Sequence, residues 1–503
     1  MKRWTSAITL IVIAAAFSIS IFACVNPTTE GKWPIEPEDT GITDRTTCKG
    51  CTTLIIGKEA TADGSVIMAH NEDYGDNACM HLMYHPRQTH EPEELIHFAF
   101  EDVPQVAVTY AYIADEMYDP ERLGMPPAAF MNGINEYGVA LASNCFDCKE
   151  ELLPNDMGLG WPEIGQLVME RCKTAREAVD LCARLVDTYT FNGFEATSCK
   201  NLNFAIADAN EGWIMEVTNR HWVAKRCPDD GAIFYANQAE IDTEWDFASD
   251  DLIKYAIDQG WYNPAFGEPF SFKEVYCGPY LGKSYNVARV ERQQELLGPK
   301  LGSVTLGDVF AVMRDHYEGT EYYNTPHNFS TQYSGEPRNR ALVRPICVDS
   351  THSSEVYHLR GDMPATIGCI MWIAASSPCC SVYTPIYAGN RGATPAEWML
   401  GWDSFDPDSA WWTFEQVQRL VAPREPDHEF WQATWPHVRA IWDRVERREF
   451  IITALVEKVA MKLWEYDETD LACEVLTNYT YIQLHSNFLR ARTLLNWGFR
   501  SGL

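Results

Sequence analysis

The sequence predicts an α+β fold, two β-sheets covered by helices, and three observations carry that expectation. Short apolar runs separated by tight-turn residues recur between residue 51 and about 240. Apolar residues at helical spacing interrupt them within 162–185. Strand-like runs return over 340–390, and from about 395 to 503 the pattern is helical.

The first element is Thr52–Ile56, followed by Ser65–Ala69 across a loop that contains Asp63-Gly64, a strong hairpin signal. With the loop at Thr61–Gly64, Ala60 faces Ser65. Continued along the strands, that register sets Cys51 opposite Tyr74, with Asp73 one position away at about 3.3 Å. Met131–Asn144 carries a second turn at Asn135-Glu136-Tyr137-Gly138. Phe204–Ala207 and Trp213–Val217 flank a third, Asp208 to Gly212. Between them, Pro162–Leu185 places Ile164, Leu167, Val168, Ala178, Val179, Leu181 and Leu185 at helical spacing. In the tail, Trp442, Val445, Ile452, Leu455, Val459 and Leu463 form one apolar stripe, read as a packing face.

The N-terminus reads differently. Lys2 and Arg3 precede an apolar run from Ala7 to Ala23, broken only by Thr9, Ser18 and Ser20. It is short for a membrane anchor and fits an export signal, residues 1–24. Ile21-Phe22-Ala23-Cys24 resembles a lipoprotein cleavage box, although Phe22 is bulkier than usual there; an ordinary signal peptide with a chance cysteine is the alternative, and both stay open. Residues 25–50, rich in Pro, Gly, Thr and acids, read as a propeptide or linker ahead of a catalytic region at 51–503. The expected location is the periplasm or the exterior, with a transient lipid anchor under the lipoprotein reading. No later stretch reaches the ~20 apolar residues of a membrane span.

Charge narrows the partners. Forty Lys and Arg stand against 71 Asp and Glu, a net charge of −31 over 503 residues. Such a surface repels phosphate backbones and anionic lipid, so nucleic acid is excluded as a partner. A homo-oligomer is left open. Sixteen cysteines in an exported chain imply some pairing, with connectivity that spacing does not reveal.

Chemistry concentrates at Cys51. It follows Gly50, so cleavage of Gly50–Cys51 would leave a free amine beside a thiol. An α-amine has a pKa near ~7.7–8.0 and can take the thiol proton without a histidine. Gly50 lacks a Cβ and tolerates the distorted peptide that self-attack requires. An Asp73 carboxylate one strand away could hold the new ammonium. The plain alternatives are a buried structural cysteine, a solvated strand-end aspartate, or a four-thiolate zinc site built from Cys48, Cys51, Cys145 and Cys148.

The stretch CTTLIIGKEATADGSVIMAHNED resembles the mature N-terminus of the dipeptidases of peptidase family C69, N-terminal nucleophile hydrolases related to penicillin V acylase and bile salt hydrolase. NGINEYGVALASN, the run Arg314 to Thr320, and the block from Val356 through Pro364, Trp372, Pro378 and Pro385 to Tyr387 agree, so the resemblance covers nearly all of 51–503. It implies a four-layer αββα fold and hydrolysis of dipeptides without metal or organic cofactor. By resemblance, Cys51 is the nucleophile, released by self-cleavage at Gly50–Cys51, and Asp73 binds its amine. Asn237 and Asn144 resemble the oxyanion donors, and Arg289 the arginine that polarises the site. His316 and Glu318 are carried as substrate-binding candidates. Where the family usually has Arg before Asn-Glu-Asp, this chain has His70, a weaker, titratable cation that bears on substrate preference and pH optimum. The rival readings are an N-acyl amidohydrolase of the acylase type and an inactive exported binding lipoprotein. Without the resemblance, Asn144 and Asn237 would read as turn residues and Arg289 as a surface cation.

Overall fold

The computed structural model describes residues 50–73, 79–117, 129–151, 157–193, 201–320, 322–323, 344–401, 404–421 and 428–501. The signal segment, Cys24, Cys48 and Tyr74 lie outside them.

The strands of the two main sheets are β1 Thr52–Ile56, β2 Val66–Asp73, β3 Met80–His85, β4 Tyr112–Met117, β5 Ala129–Asn135, β6 Ala140–Phe146, β7 Asn201–Ala207, β8 Gly212–Val217, β9 Trp222–Arg226, β10 Ala232–Tyr235, β11 Phe247–Ala248, β12 Thr351–Leu359, β13 Cys369–Ala375 and β14 Thr384–Tyr387. One sheet has six strands in the order β10-β1-β2-β12-β13-β14, and the other has eight in the order β11-β9-β8-β7-β6-β5-β4-β3. The helices that cover them are α1 Trp161–Arg171, α2 Ala175–Tyr189, α3 Ser284–Leu297, α4 Leu306–Met313, α5 Ala410–Val421, α6 His428–Glu465 and α7 Thr469–Ser501. No helix among the described residues is long and apolar enough to cross a membrane.

The period of two along each strand sorts the core into layers. Ile55, Met68, Tyr357 and Met371 of one sheet meet Ala142, Ala205, Ile214 and Val223 of the other. The alternate residues face outward. Leu54, Ile67, Val356 and Trp372 pack against Val309 and Met313 of α4 and Leu463 and Leu476 of α6 and α7. Leu141, Phe204, Ile206 and Met215 pack against Ile164, Leu167, Val179 and Leu185 of α1 and α2. The order helix, sheet, sheet, helix is the expected αββα arrangement.

Three expectations need correction. The apolar spacing of 162–185 belongs to two helices: Cys172 is extended, and Thr174 starts α2 by accepting the Glu177 N–H. On the tail stripe Leu455 points outward and is 56% exposed, while Trp442 is fully buried. The β1–β2 register is shifted by two residues: Thr52 faces Asn71 and Ile56 faces Ile67. The cause lies outside the hairpin. Gly57 N–H donates to Gly231 O at 2.9 Å and Glu59 N–H to Asp229 O at 2.7 Å, which draws the connection toward β10 and leaves Gly57–Ser65 as loop. A shift of two preserves the faces, and in this register Cys51 comes opposite Glu72.

Candidate active site

Cys51 lies at the mouth of β1, 4% exposed. Five segments converge on it: the end of β2, the end of β6 in the facing sheet, the residues after β10, α3, and the segment that leads into β12. Pairing of β1 with both β2 and β10 places His70–Asp73 on one side and Ala236-Asn237 on the other.

The Cys51 thiol donates to Glu72 Oε1 at 3.3 Å. The other Glu72 oxygen meets His70 Nε2 at 3.0 Å, and His70 Nδ1 lies 2.7 Å from Thr53 Oγ1. Thr53 Oγ1 donates to Asn144 Oδ1 at 2.5 Å. A thiol, a carboxylate and an imidazole are thus linked in series, all buried. Burial, then the charges of Glu72 and Asp73, pushes the Cys51 thiol well above its ordinary pKa. Although burial opposes it, the His70 contacts leave the Glu72 carboxyl below its ordinary value. A protonated thiol therefore faces a carboxylate. The sulfur, the imidazole nitrogen and a carboxylate oxygen lie within 4.8 Å of one another and are the atoms here that could hold a metal ion.

The Gly50 carbonyl, which self-attack would convert to an oxyanion, is enclosed by cations. Arg289 Nη1 donates to Gly50 O, and Arg344 Nη1 donates to it at 2.6 Å. Arg289 Nη1 also reaches Cys51 O at 2.6 Å and Thr52 Oγ1 at 3.0 Å. Its Nη2 bonds Asn237 Oδ1 at 2.9 Å and Asn286 Oδ1 at 2.8 Å. Arg289 is fully buried, and a planar guanidinium is suited to such divergent acceptors. Asn237 Oδ1 is thereby fixed as the acceptor, which turns Nδ2 outward as a donor, to Cys145 O at 3.0 Å. Asn144 Nδ2 is directed at Cys51 O and Ala236 O, both at 3.2 Å.

Asp73 is paired with Arg344 Nη2 at 2.5 Å and accepts from Thr351 Oγ1 at 2.5 Å. Burial still raises its pKa above the ordinary value, against the pull of Arg344. Gly50 approaches so closely that a Cβ would stand 2.4 Å from Arg344 Nη2 and 2.6 Å from Asp73 Cβ.

The structure therefore gathers Gly50, Cys51, His70, Asp73, Asn144, Asn237 and Arg289. It adds two residues that sequence reasoning missed. Glu72 was within the Asn71-Glu72-Asp73 run but was hidden by the register. Arg344 stands in no local motif and gave no signal. His316 and Glu318 form a separate group: His316 Nδ1 meets Glu318 Oε1 at 2.9 Å, and the His316 ring lies beside Cys347 and Cys379. The four-thiolate zinc alternative fails, because Cys145 is disulfide-bonded while Cys51 and Cys148 are free thiols.

The model of peptidase family C69 matches residues 50–430. A protein named "Probable dipeptidase" from Salmonella dublin is 28% identical over 382 residues, covering 69% of this chain and 83% of its own. "Probable dipeptidase B" from Lactococcus lactis is 27% identical over 396 residues, covering 72% and 79%. Among solved structures, penicillin V acylase from Agrobacterium tumefaciens aligns at 15% identity with a TM-score of 0.39, over 67% of this chain and 86% of that one.

Proposed function

Because the chain belongs to peptidase family C69, we propose that it is a self-processing cysteine dipeptidase with Cys51 as its N-terminal nucleophile. The observation that carries this is the Gly50 carbonyl: it sits between the guanidinium donors of Arg289 and Arg344, next to the residue whose thiol must attack it. Donors aimed at a developing oxyanion are what acyl transfer needs.

In self-cleavage the thiol proton passes to Glu72, with His70 behind it, since the Cys51 nitrogen is still an amide and cannot act as the base. The sulfur bonds to the Gly50 carbonyl carbon, the Gly50–Cys51 C–N bond breaks, and the nitrogen takes up a proton. Water then hydrolyses the thioester, releasing the Gly50 carboxylate and restoring the thiol. The new ammonium faces Asp73. A positive charge beside sulfur favours thiolate, so the cut also counters the burial that holds the thiol protonated.

The mature amine then serves as the base. The thiolate attacks the amide carbonyl of a dipeptide, the oxyanion accepts from Asn237 and Asn144, the ammonium protonates the leaving amine, and water then hydrolyses the thioester to release the acid and restore the thiol. Residues 1–24 direct export in this reading, and residues up to Gly50 are removed. The test is twofold: mass spectrometry should find a mature chain beginning at Cys51, and a substrate panel should show dipeptides turned over ahead of N-acyl amides. An intact Gly50–Cys51 bond in active enzyme would refute the mechanism; preference for N-acyl amides would move the activity to the acylase class.

A further inference from the structure

We propose that His316, Cys347, Cys379 and Cys380 form a structural site for a thiophilic divalent cation of the zinc class, separate from the Cys51 centre. The ligands come from three segments distant in sequence: the loop after α4, the segment entering β12, and the turn after β13.

The geometry favours a metal over a chance meeting of thiols. A His316 ring nitrogen and the Cys347 and Cys379 sulfurs lie within 4.8 Å of one another. Cys379 Sγ and Cys380 Sγ are 3.6 Å apart. A tetrahedral zinc site with Zn–S bonds of ~2.3 Å has S···S edges of about 3.8 Å. The edges among His316, Cys347 and Cys379 exceed that by at most about 1 Å, and Cys380, whose sulfur is beside that of Cys379, turns inward to complete the set. The donor set, one imidazole and three sulfurs, is a common closed zinc set with no open position.

The surroundings are those of a supported ligand sphere. His316 Nδ1 is held by Glu318 Oε1 at 2.9 Å, and Glu318 Oε2 accepts the His316 N–H at 2.7 Å. That fixes the ring so that Nε2 is the atom presented to the sulfurs, as in carboxylate–histidine–metal triads. The dicysteine turn is held from outside by two indoles of α6: Trp435 Nε1 donates to Cys379 O at 3.1 Å and Trp442 Nε1 to Cys380 O at 2.8 Å. Cys347 N–H donates to Asp315 O at 3.2 Å, joining two of the ligand segments. Three thiolates around a divalent ion leave one negative charge. Arg439 lies against the same turn, donating to Pro378 O and Ser381 O at 3.2 and 2.8 Å, and offsets that charge in part, since it also pairs with Asp443 and Glu446. All four ligand residues are at most 1% exposed, so the ion is loaded as the chain folds and performs no chemistry on substrate. Its role is to pin the segment that carries Arg344, three residues before Cys347, to the loop after α4.

Elemental analysis of the full-length protein, expressed with added zinc and stripped of loosely held metal, tests the proposal: about one zinc per chain is expected. Cobalt loading of the wild type should give the intense thiolate-to-cobalt absorption of a tetrahedral sulfur-rich site. Cys347→Ser and Cys379→Ser should each lose the metal, and Cys51→Ala should keep it. Three results would overturn the inference: wild-type protein holding less than about a tenth of an equivalent, loss of the metal in Cys51→Ala alone, or a Cys347–Cys379 disulfide in the native protein. Because the metal content and cobalt spectrum are read on the wild type, misfolding of a cysteine variant leaves the test intact.

Discussion

In the proposed mechanism Arg289 acts on catalysis through Asn237, whose Oδ1 it holds, and Arg289→Lys is the perturbation that isolates this. The five N–H groups of the guanidinium reach Tyr285 O, Gly50 O, Cys51 O, Thr52 Oγ1, Asn237 Oδ1 and Asn286 Oδ1, with Nη1 shared among three of them. Lysine keeps the charge but has three donors on one nitrogen, so it cannot span both asparagines and the β1 backbone. Without its Nη2 partner the Asn237 amide is held only through its Nδ2 contact to Cys145 O, and it can turn its oxygen toward the oxyanion, so that the donor is lost. Loss of one such donor costs about a hundred- to a thousandfold in kcat, ~2.7–4 kcal/mol. Asn237→Ala should cost the same. If the arginine acts through the asparagine, the double variant should be no slower than the worse single one, a coupling energy of at least ~2.7 kcal/mol. The assay is dipeptide hydrolysis by chains produced directly with Cys51 as the first residue, which removes processing from the measurement. Thermal melts check that each variant is folded. Losses that multiply, to ten-thousandfold or beyond, would refute the positioning role and make Arg289 an independent stabiliser.

Other outcomes follow from the same geometry. Cys51→Ala should abolish both processing and hydrolysis, whereas Cys51→Ser should process slowly, because an alkoxide is harder to form than a thiolate; the fraction holding uncut Cys51→Ala, membrane or soluble, distinguishes a lipid tether from a plain signal peptide. Glu72→Gln should slow cleavage at Gly50 by about a hundredfold, the usual worth of a positioned base, when intact mass is followed over time; unchanged cleavage would remove Glu72 from the proton path. Gly50→Ala should also retard cleavage, since its methyl group would strike Asp73 Cβ and the Arg344 guanidinium, while a chain made from Cys51 onward stays fully active. Glu449, buried under Asn487, has its pKa raised to about 8 by burial, with the Asn487 contact opposing. The folded state binds this proton more tightly than the unfolded chain, so stability is present at low pH and declines from about pH 4.5 to 8, by at most ~5 kcal/mol for this group. Glu449→Gln should flatten that decline in denaturant titrations at pH 5 and pH 8; an unchanged slope would mean that other groups set it.

What could be read in the sequence was local. The β1 strand, the turn at Asn135–Gly138 and the α2 amphipathic face are set by period and turn chemistry within a few residues; the first two formed where expected, and the third as the second of two helices. In that turn Asn135 Oδ1 accepts from the N–H groups of Tyr137 and Val139, a purely local device. The β1–β2 register was misread because its determinant is a pair of hydrogen bonds to Asp229 and Gly231, more than 150 positions away. The same distance effect hid Arg344. It meets Asp73 across 271 positions, and nothing in its own neighbourhood marks it. Cys51 and Asp73 were legible because the Gly-Cys junction and a strand-end carboxylate carry chemistry by residue type. The partner that the thiol actually touches, Glu72, required the register.

Gly50 is buried, as is Cys51 after it. A protease needs several residues of accessible extended chain in its cleft, and from Gly50 onward the described chain is buried, with Arg344 and Asp73 enclosing the glycine. The proposed cut therefore belongs to the molecule itself. Its rate should be first order and insensitive to dilution or to added protease inhibitors. It also becomes a report on assembly: the arginines come from segments 239 and 294 positions downstream of Gly50, so in the proposed mechanism the bond breaks only after the chain through Arg344 has been made and packed. In the proposed mechanism maturation doubles as inspection, with misfolded copies left uncut, their amine still an amide, and catalytically silent.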